Sequence, residues 1–145
     1  MKKALRMYAT VAVSLLFLGA ANQAWADHGS QNSQNNTETR LRTRLSGGMA
    51  QGKTPDGNAD FRSDSRGRMR LNVEVENVSL AAGTVLQVSV QHAGMTVAVG
   101  MITLQGGGSG ELELNSQDGD TVPAVQSGDM IMVANGGTVI LAGVF

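Results

Sequence analysis

Apolar and polar residues alternate along most of the chain from residue 40 onward. In the segment 68–76, Met, Leu and Val occupy every second position, and Arg, Asn and Glu fill the positions between them. The segments 40–47, 84–92 and 109–115 alternate in the same way. A period of two is typical of an antiparallel strand that buries one face and exposes the other to water. The pattern therefore predicts an all-β domain.

Glycine and other turn-forming residues interrupt each alternating run within about ten residues, which is typical of a sandwich or barrel. We expect a single antiparallel Greek-key β-sandwich or barrel, in which a softer segment at 121–125 can add a short edge piece. The eight predicted strands are 40–47, 57–64, 68–76, 84–92, 95–104, 109–115, 129–134 and 138–145.

Three short loops also predict the register of a hairpin. Ser65-Arg66-Gly67 suits a type I turn with a bulge, whereas Ala93-Gly94 and Asn135-Gly136 suit two-residue turns. The expected apolar partners are Phe61 with Leu71, Ala59 with Val73, Val90 with Val97, Val88 with Val99, Met132 with Val139, and Ile131 with Ile140.

The carboxy-terminal hairpin departs from the alternation, because 130–133 and 139–141 are apolar on both faces. A hairpin that is covered on one side only keeps one polar face. Either this hairpin lies in the middle of a closed sandwich with its second face under a loop, or that face contacts another copy or a partner. In the second interpretation the contact residues are Met130, Met132 and Ile140.

The first 26 residues have the three parts of a secretory signal peptide. A cationic start is followed by an apolar run at 7–20 and by a small-x-small site at 24–26. The apolar run is short for a membrane span of about 20 residues. We therefore predict cleavage after Ala26, no stable membrane span after cleavage, and an exported protein of the periplasm or the medium.

The segment 27–39 contains no apolar side chain and is rich in Asn, Gln and Ser. Such a composition cannot bury enough surface to offset the entropy lost on ordering. We expect a disordered polar leader at 27–39 and one folded domain at 40–145.

The scarcity of Cys and His limits the chemistry of this chain. It has no Cys and two His residues, which excludes a disulfide scaffold, a thiol nucleophile and a multi-His metal site. No Gly-x-Ser-x-Gly elbow is present, and the glycine run 106–110 lacks the Gly-Lys-Ser/Thr end of a phosphate loop. The sequence predicts no catalytic residue and no cofactor. A hydrolase or redox enzyme needs a pocket that joins His92, a Ser and a buried carboxylate.

Acidic turns offer candidate calcium ligands, namely Asp118, Asp120 and Asp129. A calcium loop supplies six to eight oxygen ligands, usually from several acidic residues close in the chain. Asp and Gly are also common residues of tight turns. A small-ligand or calcium-binding module is therefore the alternative function.

Charge is distributed unevenly along the chain. Residues 40–70 hold eight basic and three acidic residues, whereas 71–145 hold seven acidic residues and no Lys or Arg. Either the charges pair across strands of one sheet, or Arg40, Arg42 and Arg44 form a positive edge that contacts a neighbouring copy or an anionic polymer. We expect no nucleic acid partner, because the chain is net acidic and only 3% aromatic.

Several short motifs follow one another in a recognisable order. They are Leu45-Ser46-Gly47, Gly57-x-Ala59-x-Phe61, the alternation at 71–75, Val78-x-Leu80, and Asp-Gly-Asp-x-Val-Pro at 118–123. Over Leu41–Phe145 this order resembles the chordin-type (CHRD) domain and small exported bacterial β-domains of unknown function. The resemblance implies a Greek-key architecture similar to that of copper-zinc superoxide dismutases. It implies no metal ligand, because the His-x-His common in chordin-type domains is missing at 90–92.

Together these observations predict a non-enzymatic exported β-sandwich with a structural or interaction role in adhesion, matrix or envelope assembly. Its expected partner is itself or another envelope or extracellular protein.

Overall fold

The computed structural model describes residues 37–145. The predicted signal peptide and residues 27–36 of the predicted leader lie outside the described residues. The strands are β1 Thr39–Ser46, β2 Asp56–Ser63, β3 Met69–Glu76, β4 Val85–His92, β5 Met95–Thr103, β6 Gly110–Asn115, β7 Met130–Asn135 and β8 Thr138–Val144. Each strand begins and ends within one residue of its predicted bounds. Between β6 and β7 the regular structure is a single turn of 3-10 helix at Ser116–Asp118.

The eight strands form one antiparallel sheet in the order β5-β4-β7-β8-β1-β2-β3-β6. The two end strands, β5 and β6, lie near each other without a ladder between them, so the sheet is an almost closed barrel. After β4, β5 and β6, the chain returns to place β7 beside β4, which is a Greek-key arrangement. The predicted all-β Greek-key architecture is confirmed.

The inward side chains of all eight strands share one core. Strands from both halves of the sheet contribute fully buried residues, such as Phe61 and Leu71 from one half and Leu86 and Ile131 from the other. The connection between β6 and β7 contains no strand, and it adds Val122 and Val125 to this core. Alternation along each strand then leaves every second side chain on the outside of the barrel.

The β2–β3 hairpin has the predicted register. Phe61 pairs with Leu71 and Ala59 with Val73. The backbone of Asp64 pairs with that of Arg68 across the three-residue loop. Because a slip of one residue exposes the whole apolar set, the buried face specifies this register strongly.

A bulge makes one predicted pair of the β4–β5 hairpin wrong. Val90 pairs with Val97 as predicted, but Val88 pairs with Gly100, because Val99 is an extra residue between Ala98 and Gly100. A Cβ atom at position 100 would lie 2.7 Å from Cδ2 of Leu112. Glycine thus lets the Leu112 side chain fill the space between β5 and β6.

Both predicted pairs of the β7–β8 hairpin are wrong. The turn is made by Gly136 and Gly137, with φ of 54° and 87°, so Asn135 pairs with Thr138. Two glycines adopt this positive φ at lower cost than Asn followed by Gly. A bulge at Ile140 then shifts the ladder again.

Candidate functional site

The outside of the barrel has two unlike faces. We call the outward side chains of β1, β2, β3 and β6 the charged face, and those of β4, β5, β7 and β8 the uncharged face. Arg40, Arg42 and Arg44 lie on the charged face, as outward residues of β1. Met130 and Met132 lie on the uncharged face, as outward residues of β7.

Asp60 is the centre of the charged face. Its Oδ2 atom accepts hydrogen bonds from Arg40 Nη2 at 2.6 Å and from Arg42 Nε at 2.5 Å. Its Oδ1 atom accepts one from Arg62 Nε at 3.0 Å. One carboxylate on the middle of the sheet therefore holds three guanidinium groups from two strands.

Two further arginines of this face also have a carboxylate partner within the barrel. Arg44 Nη2 lies 3.7 Å from Asp56 Oδ2, and Arg70 Nε lies 3.8 Å from Glu113 Oε1. Each of the three arginines predicted as contact residues thus has a carboxylate partner on the neighbouring strand. Exposed pairs of this kind contribute about 0–1 kcal/mol each, and salt weakens them.

The β2–β3 turn contributes a further carboxylate. Oδ1 of Asp64 accepts hydrogen bonds from the backbone amides of Arg66 and Arg68 at 3.0 Å, and Oδ2 accepts one from Arg68 Nε at 2.5 Å. The hydrogen bond from the Arg68 side chain lowers the pKa of Asp64 most, and the two amides add to that effect against the opposing effect of burial.

The uncharged face carries no Lys, Arg, Asp or Glu on any of its four strands. Register places its side chains in three rows across β5, β4, β7 and β8. The rows are Thr96-Gln91-Met130-Val144, Ala98-Ser89-Met132-Ala142 and Met101-Gln87-Ala134-Val139. Apolar residues are well exposed at its margins, with Met101 65% and Val144 55% exposed.

The three predicted contact residues of the last hairpin do not share one surface. Met130 and Met132 are half-buried neighbours on the uncharged face, and all eight described strands belong to the barrel wall, so no strand lies across them. Ile140 instead occupies the bulge of β8 and packs against the core. It lines a groove of about 360 Å³ with Met49, Leu80 and other uncharged residues.

Two of the calcium candidates lie in one turn around Asn115. Asp118 Oδ2 accepts a hydrogen bond from Asn115 Nδ2 at 2.8 Å, and Asp120 Oδ2 accepts one from the Asn115 amide at 2.9 Å. Asp129 has different partners. Within residues 37–145 no three His, Cys, Asp or Glu side chains come together as a metal site. Calcium binding stays a prediction.

The third candidate, Asp129, anchors the end of the β6–β7 connection. Its side chain is almost fully buried; Oδ2 accepts a hydrogen bond from the Gln126 amide at 2.8 Å, and Oδ1 lies 2.6 Å from His92 Nδ1. Its backbone carbonyl accepts a hydrogen bond from the Phe145 amide at 3.0 Å. Burial raises the pKa of Asp129, but the hydrogen bonds from Gln126 and His92 outweigh it and hold the pKa below its ordinary value.

The pairing of His92 with Asp129 was not predicted from the sequence. It follows from the antiparallel β4–β7 register, in which Gln91 pairs with Met130. His92, the residue after Gln91, therefore lies beside Asp129, the residue before Met130. A His–Asp pair orients an imidazole, yet nucleophilic catalysis also needs a hydroxyl or thiol on the other ring nitrogen. Among the described hydrogen bonds of His92 the partner is Asp129 alone, and the His92 side chain is 51% exposed.

Comparison with known proteins adds no relative to this picture. No family model, curated protein or solved structure matches the chain. Among residues 37–145 no helix has the length and apolar character to cross a membrane.

Proposed function

We propose that this protein is a non-enzymatic exported module with a structural or interaction role in adhesion, matrix or envelope assembly. It acts by surface contact, and the contact surface is the uncharged face. The observation that carries the proposal is the absence of charge from the outward rows of four neighbouring strands, where Met and Val side chains are exposed.

An uncharged sheet face with exposed apolar side chains is better suited to binding another protein surface than to remaining exposed to water. Removing apolar surface from water contributes roughly 25 cal/mol of favourable free energy for each Å². Covering a charged group has the opposite effect, because the group loses its hydration. The uncharged face offers the gain without that loss. The charged face has the opposite character, because three of its arginines pair with Asp60 at positions that are still partly exposed to water.

Export is supported by the sequence of residues 1–26, which has the order of parts found in a secretory signal. The absence of Cys means that the domain folds without disulfide formation. A closed core and a polar leader are compatible with a module displayed outside the cytoplasm. The resemblance to the chordin-type domain points in the same direction.

Two matched amide-to-acid substitutions test the proposal. Gln87→Glu adds one charge to an exposed outward position of the uncharged face, and Asn58→Asp adds one to an exposed outward position of the charged face. Each variant is expressed as the full chain with its own leader, and the cell-associated and free fractions are compared with those of the unsubstituted protein.

We expect the unsubstituted protein and Asn58→Asp to remain cell-associated, while Gln87→Glu moves to the free fraction. Mass determination of the recovered protein checks cleavage after Ala26, and circular dichroism checks that each variant is folded. Equal partitioning of the two variants would overturn the proposal, as would an unsubstituted protein that is free throughout.

A further inference from the structure

We infer that the uncharged face binds the uncharged face of a second copy of this chain, across a two-fold axis that passes near Ser89. The inference rests on the proposed function and names the partner for it. It follows from how polar and apolar side chains are arranged within the face.

A polar stripe runs along β4 between two columns that are apolar except for Thr96 on the β5 side. The stripe consists of Gln87, Ser89 and Gln91, which are the successive outward residues of β4. On the β5 side these residues face Met101, Ala98 and Thr96, and on the β7 side they face Ala134, Met132 and Met130. The stripe is thus symmetric about its middle residue, with a glutamine at each end and a serine at the centre.

This symmetry suits an interface between identical faces. A two-fold axis brings a patch onto itself, so the patch must be complementary to its own copy. With the axis near Ser89, glutamines lie over glutamines and the serine lies over its own copy. Amides and hydroxyls both donate and accept hydrogen bonds, so each group in the stripe can pair with an identical group.

Charge also favours a second copy over a charged partner. A Lys or Glu covered by this face would be desolvated without an opposite charge, which costs several kcal/mol. The charged face of another copy is unsuitable, because Arg40, Arg42 and Asp60 would have to give up their hydration there. The uncharged face itself meets the requirement, since its four strands hold no acidic or basic residue other than His92.

The size of the face indicates a reversible dimer. Four strands of six to nine residues, spaced about 4.8 Å apart with a rise of about 3.4 Å per residue, cover roughly 450–500 Å² in each copy. Two copies would bury roughly 900–1,000 Å², which lies with the small, transient interfaces. We expect a Kd of the order of 10–100 µM, within reach of crowded conditions at an envelope or matrix.

Opposite charges at the axis test the geometry. Ser89→Asp places two carboxylates against each other in a dimer, and Ser89→Lys places two ammonium groups against each other. We expect each variant alone to dimerise at least about tenfold more weakly than the unsubstituted protein. An equimolar mixture of the two should dimerise again, because each interface then holds one positive and one negative group.

The measurement is analytical ultracentrifugation of the purified, exported form of the full chain over a range of concentrations. Asn58→Asp is the control and should dimerise like the unsubstituted protein. A monomer at all concentrations up to about 500 µM overturns the inference, and so does a mixture that stays monomeric while both variants are folded. If either Ser89 variant fails to fold, Gln87→Glu is measured in its place. We expect Gln87→Glu to dimerise at least about tenfold more weakly than the unsubstituted protein. Dimerisation of Gln87→Glu as strong as that of the unsubstituted protein would overturn the inference.

The outcome separates this inference from the proposed function. A strictly monomeric protein whose cell association is still lost in Gln87→Glu would point to a different partner on the same face. If the protein is strictly monomeric and Gln87→Glu does not change its cell association, the uncharged face is not a contact surface.

Discussion

The charged and uncharged faces of the barrel differ although the strands beneath them are alike. Both rest on strands with the same inward alternation of buried apolar residues, such as Leu71 on β3 and Leu86 on β4. Outward, one side is covered by ion pairs centred on Asp60, and the other has no charged group. The difference shows that the core constrains only half of the positions in a strand and leaves the others to serve contact or solubility.

The two end strands repeat this difference. β6 is short and carries Glu111 and Glu113, which discourage pairing with another strand, whereas β5 is longer and uncharged. An unprotected edge invites association with other chains, and a bulge is one device that limits it. The bulge at Val99 supplies that device on β5. We therefore assign contact to the face of this half and not to its edge.

The largest expected effect tests whether the strands of the charged face (β1, β2, β3 and β6) and those of the uncharged face (β4, β5, β7 and β8), the two halves of the barrel, share one core. Leu71→Ala and Leu86→Ala each truncate a side chain with no exposure, one in each half. We expect each to lower the free energy of unfolding by about 2–5 kcal/mol. Urea unfolding followed by circular dichroism measures both, and two separate transitions in either variant would show that the halves unfold independently.

A smaller effect is expected where the uncharged half is anchored. Asp129→Ala leaves the Gln126 amide and the His92 ring without their acceptor, and we expect a loss of about 1–3 kcal/mol of stability. Asp118→Ala in the exposed turn at Asn115 is the control and should lose less. Equal losses in thermal unfolding would mean that burial gives Asp129 no special role.

Acid should destabilise both halves through Asp64 and Asp129. The folded pKa of each lies below the ordinary value of 3.8, so each carboxylate contributes stability that is fully present above that value. The contribution is lost as the pH falls through the folded pKa, because the unfolded chain then binds more protons. Unfolding free energies measured between pH 5 and about pH 2 should fall less steeply in Asp64→Asn and Asp129→Asn than in the unsubstituted protein. Parallel curves would contradict this assignment.

The smallest expected effect concerns the ion pairs of the charged face. Asp60→Asn removes the acceptor charge shared by three arginines, and we expect a loss of less than about 1 kcal/mol that shrinks as salt is added. Gln87→Glu on the other face should leave monomer stability almost unchanged at either ionic strength. A large, salt-independent loss in Asp60→Asn would show that this cluster is structural.

Local pattern was enough to predict the strands and part of their pairing. The alternation at 68–76 and the loop at 65–67 predicted β3 and its register against β2. Bulges escaped prediction, because the residues at Val99 and Ile140 look like ordinary members of a strand. Of the predicted contact residues, Met130 and Met132 came together, whereas the bulge placed Ile140 in a groove elsewhere.

The His92–Asp129 pair shows why the rest of the site was out of reach. These residues are 37 positions apart, and no feature near either one indicates that β4 lies beside β7. The ion-pair cluster was foreseen only as one of two possibilities, since a count of charges does not say which carboxylate lies between which arginines. Asp60 became the centre because β1 runs beside β2 in one particular register.

Local sequence pattern was enough to predict the bounds of the strands and, away from the bulges, which side chains point inward, because a period of two and its turn residues act over a few neighbouring positions. The adjacency of the β4–β5 hairpin and the β7–β8 hairpin depended on the tertiary structure, which places β4 beside β7 and so joins the outward side chains of four uncharged strands into one face. The tertiary structure also decided that Asp129 is buried against His92. Strand order depends on how the whole set of apolar faces closes around one core, and no short segment of the chain contains that information.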